Sequence, residues 1–296
     1  MKTLLRVLPC TFILTFVSAV ALAVSPTPAE IQVAQDFMQS ALTSKNCNPP
    51  FSFIYDGKSS KEFLSSWKVQ RESHALDAQR TQETVTFTDP ETGLEVRCVA
   101  VRYADFPVVE WTPYFKNTGT KDTPILEKIQ AVDINLKRGE KGEFVLHHAK
   151  GSQAQIDDFR PLLTTLAPKS DTTITTSGGR PSNSDVPYFN IEWPGNGVIL
   201  AVGWPGQWAA HFVRDAGDGL RVYAGQQLTH FILHPGEEVR GPLIALLFYQ
   251  GGWARSQNVW REWMIAHNVP HVDGKVLQPA MFACSSHQFG EMIHAN

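Results

Sequence analysis

Over most of its length this chain alternates hydrophobic and polar positions, the mark of strands that bury one face. Val85 and Phe87 alternate with Thr84, Thr86 and Thr88. The turn Asp89-Pro90-Glu91-Thr92-Gly93 follows, and Leu94, Val96, Cys98 and Ala100 then share one face of a return strand. Val109, Trp111 and Phe115 share a face of the next strand, which ends at Asn117-Thr118-Gly119. Tyr188 to Trp193 and Val198 to Trp204 flank Pro194-Gly195-Asn196-Gly197, a hairpin connection. Leu220 to Tyr223, Leu228 to Leu233 and Leu243 to Tyr249 complete the predicted strands, with His234-Pro235-Gly236-Glu237 between the last two. The polar stretch Lys169 to Asp185 reads as a long loop. Many strands with short turns and no repeat of fixed period predict a mainly β fold, a large antiparallel β-sandwich over residues 49–250.

Helical spacing marks the two ends of that region. Thr27-Pro28-Ala29-Glu30 is a capping box with Pro at the first helical position, and Ile31, Ala34, Met38 and Leu42 follow at helical intervals. This predicts a helix within residues 24–48, stopped by Asn46-Cys47-Asn48-Pro49-Pro50. Trp253, Val259, Trp260, Trp263 and Met264 form an apolar stripe with Arg255, Arg261 and Glu262 between them. The expectation is an amphipathic linker helix within residues 251–278. In residues 279–296, Pro279 to Cys284 reads as one short buried strand running into Ser285, Ser286, His287 and Gln288. A strand leading straight to a polar cluster is how the first unit of a (β/α) barrel begins.

Composition narrows the function classes. Lys2 and Arg6, the apolar run Thr11 to Ala23 and the small residues of Ala21-Leu22-Ala23 make residues 1–23 a signal peptide. The expectation is export to the periplasm or the extracellular space, a mature chain starting near Val24 and no membrane attachment after cleavage. A net charge of −3 with no basic run points away from nucleic acid. Cys47, Cys98 and Cys284 remain after cleavage, and both a Cys47–Cys98 disulfide and three buried thiols are open. No Cys/His spacing suggests a metal site, since adjacent His147 and His148 project to opposite faces of a strand. No cofactor is expected. The chain has 8 Trp, which either fill the core or present rings to sugar faces.

Four segments occur in a telling order: Ser177-Gly178-Gly179-Arg180-Pro181-Ser182-Asn183, Gly203-Trp204-Pro205-Gly206-Gln207-Trp208, Leu233-His234-Pro235-Gly236-Glu237 and Gln257-Asn258-Val259-Trp260-Arg261-Glu262-Trp263. Together they resemble the N-terminal domain of family 36 glycoside hydrolases, the α-galactosidases, in its bacterial exported form. The resemblance runs over nearly all of Phe51 to Asn296. It implies a β-supersandwich similar to galactose mutarotase, then a helix-containing linker, then a (β/α)8 barrel. That barrel holds two Asp residues for retaining hydrolysis of α-galactosides, and this sequence reaches only its first strand. The expectation is therefore a truncated, non-catalytic part whose partners are an α-galactoside-type carbohydrate and the missing barrel. A free-standing carbohydrate-binding or purely structural sandwich is the alternative.

Retaining hydrolysis needs two carboxyl groups about 5 Å apart. Asp157-Asp158 read as a turn and Glu237-Glu238 as solvated, so no catalytic residue is assigned. Ser285-Ser286-His287 lack the elbow motif and the orienting acid that nucleophilic catalysis requires. Candidate sugar-binding residues are Trp204 and Trp208, which flank a Pro-Gly turn, Arg180 and Asn183 in the polar loop, and Ser285 and His287 beyond the last strand. Each has a plainer alternative: core packing for the two Trp, solvation for the loop residues, and an exposed tail for the last two.

Overall fold

The structure, a computed structural model, describes residues 24–139 and 141–277. Residues 1–23, expected to be a signal peptide, the expected strand Pro279 to Cys284, and Ser285 and His287 lie outside the described residues.

Among the described residues the largest element is a ten-stranded sheet. From one edge it runs β10 (Pro161–Leu166), β9 (Phe144–Ala149), β12 (Tyr188–Trp193), β13 (Asn196–Gly203) and β18 (Leu243–Gln250). It continues through β6 (Val108–Asn117), β5 (Leu94–Tyr103), β4 (Arg80–Thr88) and β3 (Lys68–Ala75), and short β17 (Glu238–Arg240) pairs with the end of β6. A four-stranded sheet faces it, in the order β11 (Asp171–Thr175), β14 (Trp208–Arg214), β15 (Gly219–Gln226) and β8 (Val132–Lys137). A smaller sheet joins β16 (His230–Phe231), β7 (Leu126–Gln130), β1 (Ser52–Tyr55) and β2 (Lys58–Ser59). A terminal hairpin pairs β19 (His271–Val272) with β20 (Lys275–Val276). The pairings are antiparallel, as the alternating pattern and short turns predict.

One continuous core lies between the sheets. Val96, Cys98, Trp111, Leu200, Leu246 and Phe212 are among its fully enclosed side chains. The middle of the large sheet is covered on both faces, which explains why Val198-Ile199-Leu200-Ala201-Val202 and Leu243-Ile244-Ala245-Leu246-Leu247-Phe248 read as unbroken apolar runs. Helix α1 (Pro28–Met38) packs on the inner side, where Phe37 meets Trp111 at 5.9 Å and Phe248 at 5.3 Å. Short α2 (Ser60–Phe63) follows β2. Helix α3 (Trp253–Trp263) covers the outer side, where Val259 and Trp263 pack with Tyr103, Ile199 and Leu247 in a second apolar cluster. Both long helices end in a π-turn, over Gln39–Thr43 and Met264–Asn268.

The structure corrects several sequence expectations. Residues 171–175, expected in a loop, form β11, because Ile174 turns inward while Asp171 and Thr173 face solvent. The predicted strand Leu228 to Leu233 shrinks to two paired residues. Leu228 is 90% exposed, and its positive φ of 59° interrupts extended backbone. Trp253, expected on the apolar stripe of its helix, is instead an outward residue whose ring stacks on His147.

Cys47 and Cys98 are both free thiols, so the disulfide expectation is replaced by the thiol one for this pair. Cys98 is enclosed in the sheet core, and burial pushes its pKa up. Half-buried Cys47 lies 3.3 Å from an Arg71 guanidinium nitrogen. Cys284 lies outside the described residues. Among the described residues no helix is long and apolar enough to cross a membrane, and no cluster of three or more His, Cys, Asp or Glu side chains is placed to hold a metal.

Candidate functional site

The turns that follow β13 and β15 and the polar segment 176–183 meet at one end of the sandwich. Gln207 makes the junction. Its backbone carbonyl accepts from Gln227 N at 3.2 Å, its side-chain oxygen accepts from Gly179 N at 3.4 Å, and its amide nitrogen donates to the Gln227 side chain. The first two motif segments, twenty or more residues apart in sequence, are thus joined by hydrogen bonds.

Segment 176–183 is braced from within. Buried Thr176 donates its hydroxyl to the Arg180 carbonyl at 2.6 Å and accepts from Asn183 N at 3.1 Å. Asn183 Nδ2 donates to Ser177 Oγ at 3.2 Å and lies against Gly178, whose φ of +64° suits glycine. Asn183 therefore shapes the loop, while the Arg180 side chain extends into solvent at its tip.

The two candidate tryptophans part company here. Trp208 begins β14 with its ring directed inward, fully enclosed, edge-on to Phe189 at 5.7 Å. Its Nε1 donates to the Pro181 carbonyl at 2.7 Å, so it anchors the loop and has no free face for a sugar. Trp204 lies past the end of β13 and is half-buried. Its ring lines an open cleft of about 400 Å³, together with Phe231, Val239, Gln226, Thr229 and Arg240. The third motif segment borders the same region: Asn117 N donates to the Glu237 carbonyl and Asn117 Nδ2 to the Leu233 carbonyl, which leads the chain into β17 beside Phe115. The cleft combines an aromatic face, amide and hydroxyl hydrogen-bonding groups and one guanidinium, a lining suited to a polyhydroxylated ligand. Sequence reasoning missed Gln226, Phe231 and Arg240 because they come from three separate strands and no local spacing links them.

The acidic pairs are accounted for structurally. Asp158 accepts from Ser152 Oγ and from the backbone N–H groups of Gln153, Ala154 and Gln155, an anion nest within one turn. Asp157 pairs with Lys150, which holds its carboxyl below the usual carboxylate range. Glu237 accepts from His234 N in its own turn, and Glu238 pairs with Arg97 at 3.0 Å. His147 bonds Glu192 at 2.8 Å and His148 bonds Thr164 at 3.1 Å, two partners on opposite sides of the strand.

No family model and no curated protein sequence matches this chain. Solved structures do. It is similar to an α-galactosidase from Lactobacillus brevis, at 14% identity and a TM-score of 0.58 over 73% of this chain and 31% of that one. The galactosidase domain of an α-galactosidase–sucrose kinase, AgaSK, matches at 16% identity and a TM-score of 0.56 over 70% of this chain and 31% of that one. The GH36 α-galactosidase AgaA of Geobacillus stearothermophilus, solved as a variant in complex with stachyose, matches at 14% identity and a TM-score of 0.55, over 72% of this chain and 32% of that one. The chain thus spans about a third of the length of the structures it matches, and what it shares with that third is the fold, an antiparallel β-sandwich found as part of GH36 α-galactosidases.

Proposed function

We propose that this sandwich is the non-catalytic N-terminal part of an exported α-galactosidase-like glycoside hydrolase, supporting a catalytic domain and lining its sugar cleft with Trp204. The observation that carries the reading is the Trp204 ring in the wall of an open cleft, on a turn hydrogen-bonded to segment 176–183, in a fold shared with GH36 enzymes. Asp158 and Glu237 hold turns while Asp157 and Glu238 sit in ion pairs, which fits a supporting role for the domain. The motif order and the AgaA complex with stachyose support α-galactosides as the substrate class.

The test is hydrolysis of a chromogenic α-galactoside by the signal-free chain, beside calorimetric titration with galactose. The expected result is no turnover, with weak galactose binding that Trp204→Ala abolishes. Turnover that disappears on replacing an Asp or Glu of this chain would show a complete active site and overturn the proposal. Retention of galactose affinity in Trp204→Ala would remove Trp204 from the cleft wall and favour an independent binding sandwich.

Export is proposed from Lys2, Arg6 and the apolar run that ends at Ala23. N-terminal sequencing of the protein secreted by a bacterial host should begin near Val24. Recovery only of intact, unprocessed chain in the cytosol would exclude it.

A further inference from the structure

A second depression, of about 540 Å³, lies on the outer face of the four-stranded sheet and shares Gln226 and Thr229 with the Trp204 cleft. Strand register explains its shape. Outward side chains pair in rows across β11, β14 and β15. Thr175 lies beside Ala209, which faces Gly225; two residues on, Thr173 lies beside His211, which faces Tyr223. Beside Thr175 the first row is low, a methyl group at Ala209 and a hydrogen at buried Gly225, and Ala209 forms the floor. Gly225 admits nothing larger, because a Cβ there would overlap the Ile129 carbonyl oxygen.

The second row is a tall wall. The His211 and Tyr223 rings stack with centroids 4.5 Å apart and planes 12° from parallel. Thr173 Oγ1 bonds His211 Nδ1 at 2.9 Å, and the Arg221 guanidinium covers the Tyr223 ring at 4.7 Å. Arg221 is in turn gripped by both oxygens of Asp133, at 2.8 and 2.9 Å. These rings are held in place before any ligand arrives, which removes much of the ordering cost of binding.

The opposite wall is the segment after β15, with Glu127 and His230 bonded at 3.3 Å. At its lip Leu228 is 90% exposed in the left-handed region. Branched apolar residues seldom adopt that conformation, and strain of this kind gathers at binding sites.

The lining selects a ligand class. Gln130, Gln226, Gln227 and Thr175 supply amide and hydroxyl groups, and the one carboxylate, Glu127, is offset by Lys128. Burial lowers the pKa of His211, so at neutral pH its ring is uncharged. A densely hydroxylated, uncharged molecule suits this balance, and Leu228 offers an apolar contact for one ring face.

We infer that this depression is a second carbohydrate site, taking a neutral oligosaccharide independently of the Trp204 cleft. It does not rest on the α-galactosidase-like reading. The probe is raffinose, titrated at millimolar concentration into the full chain while the His211 and His230 imidazole signals are followed by NMR. Those signals should move saturably in the parent protein and equally in Trp204→Ala. Ala209→Leu, which fills the floor from the solvent side, should abolish the shifts, and Leu228→Ser should weaken binding about tenfold. Leu228 is so exposed that its replacement leaves the fold intact, which separates lost binding from lost structure. Static His211 signals throughout the titration would overturn the inference. So would shifts that survive Ala209→Leu, or shifts abolished by Trp204→Ala alone, which would assign raffinose to the other cleft.

Discussion

Glu30→Ala should lower the unfolding free energy by about 3–5 kcal/mol, the range for breaking one side of a buried ion pair. Glu30 is 1% exposed although it sits in the first turn of α1. Its carboxylate accepts from Thr27 N at 2.7 Å, from Gln250 N at 2.7 Å and from Arg255 Nη2 at 3.0 Å. Arg255 also donates to the Ser25 carbonyl at 3.0 Å. One side chain therefore fastens the N-terminal helix to the end of β18 and the start of α3. Alanine would leave two backbone donors unsatisfied and the Arg255 guanidinium, 28% exposed, without its counter-charge.

Glu30→Gln isolates the charge, and its cost depends on pH. Burial raises the Glu30 pKa, but Arg255, Gln250 and Thr27 together outweigh it and hold the carboxyl below its ordinary range. A carboxylate whose folded pKa is depressed stabilises the fold above its unfolded pKa of about 4.3, and that contribution is lost as pH falls through the folded value. Urea denaturation should show a full gap between parent and Glu30→Gln at neutral pH, closing under acid conditions. A gap of under about 1 kcal/mol at neutral pH would reduce the pair to an ordinary surface salt bridge.

Trp208→Ala should destabilise the protein by about 3–5 kcal/mol through the cavity it leaves. Trp204→Ala, which trims a half-buried ring, should cost only about 1–2 kcal/mol. Trp208 also tethers Pro181, so its loss should release segment 176–183 as well as loosen the core. Trp208→Phe keeps most of the packing and deletes the hydrogen bond, and should lose about 1 kcal/mol from that bond. Chemical denaturation of the three variants checks the ranking. Equal losses for Trp204→Ala and Trp208→Ala would refute the division into a cleft ring and a core ring.

That division shows where sequence reading stops. Trp204 and Trp208 are the same residue four positions apart around one Pro-Gly turn, and nothing local distinguishes them. Trp208 turns inward because pairing with β15 sets its phase with Ala210 and Phe212. Trp204 falls after the last paired residue of β13, where no ladder directs its ring. Composition misled in the same way at β11. Its Thr-rich strand pairs along one side only, with β14, so a single inward Ile174 suffices, and polarity alone reads as a loop.

What the sequence determined by itself is the local grammar. The Thr27–Glu30 box, with its 3.2 Å bond to Glu30 N, sets the start of α1. Pro194-Gly195 turns the chain so that Trp193 pairs with Asn196, and alternation from Leu94 to Ala100 puts one face of β5 in the core. Short-range sterics and period-two burial suffice for these, because each is complete within a few residues. The tertiary structure alone decided which hairpins form which sheet, and it built both depressions. The cleft takes Trp204 from the turn after β13 and Gln226 and Arg240 from two other strands, and the second depression sets Ala209 against Gly225, sixteen residues away. Such surfaces arise from cross-strand register, which depends on how the whole core closes and leaves no trace in the spacing of any one segment.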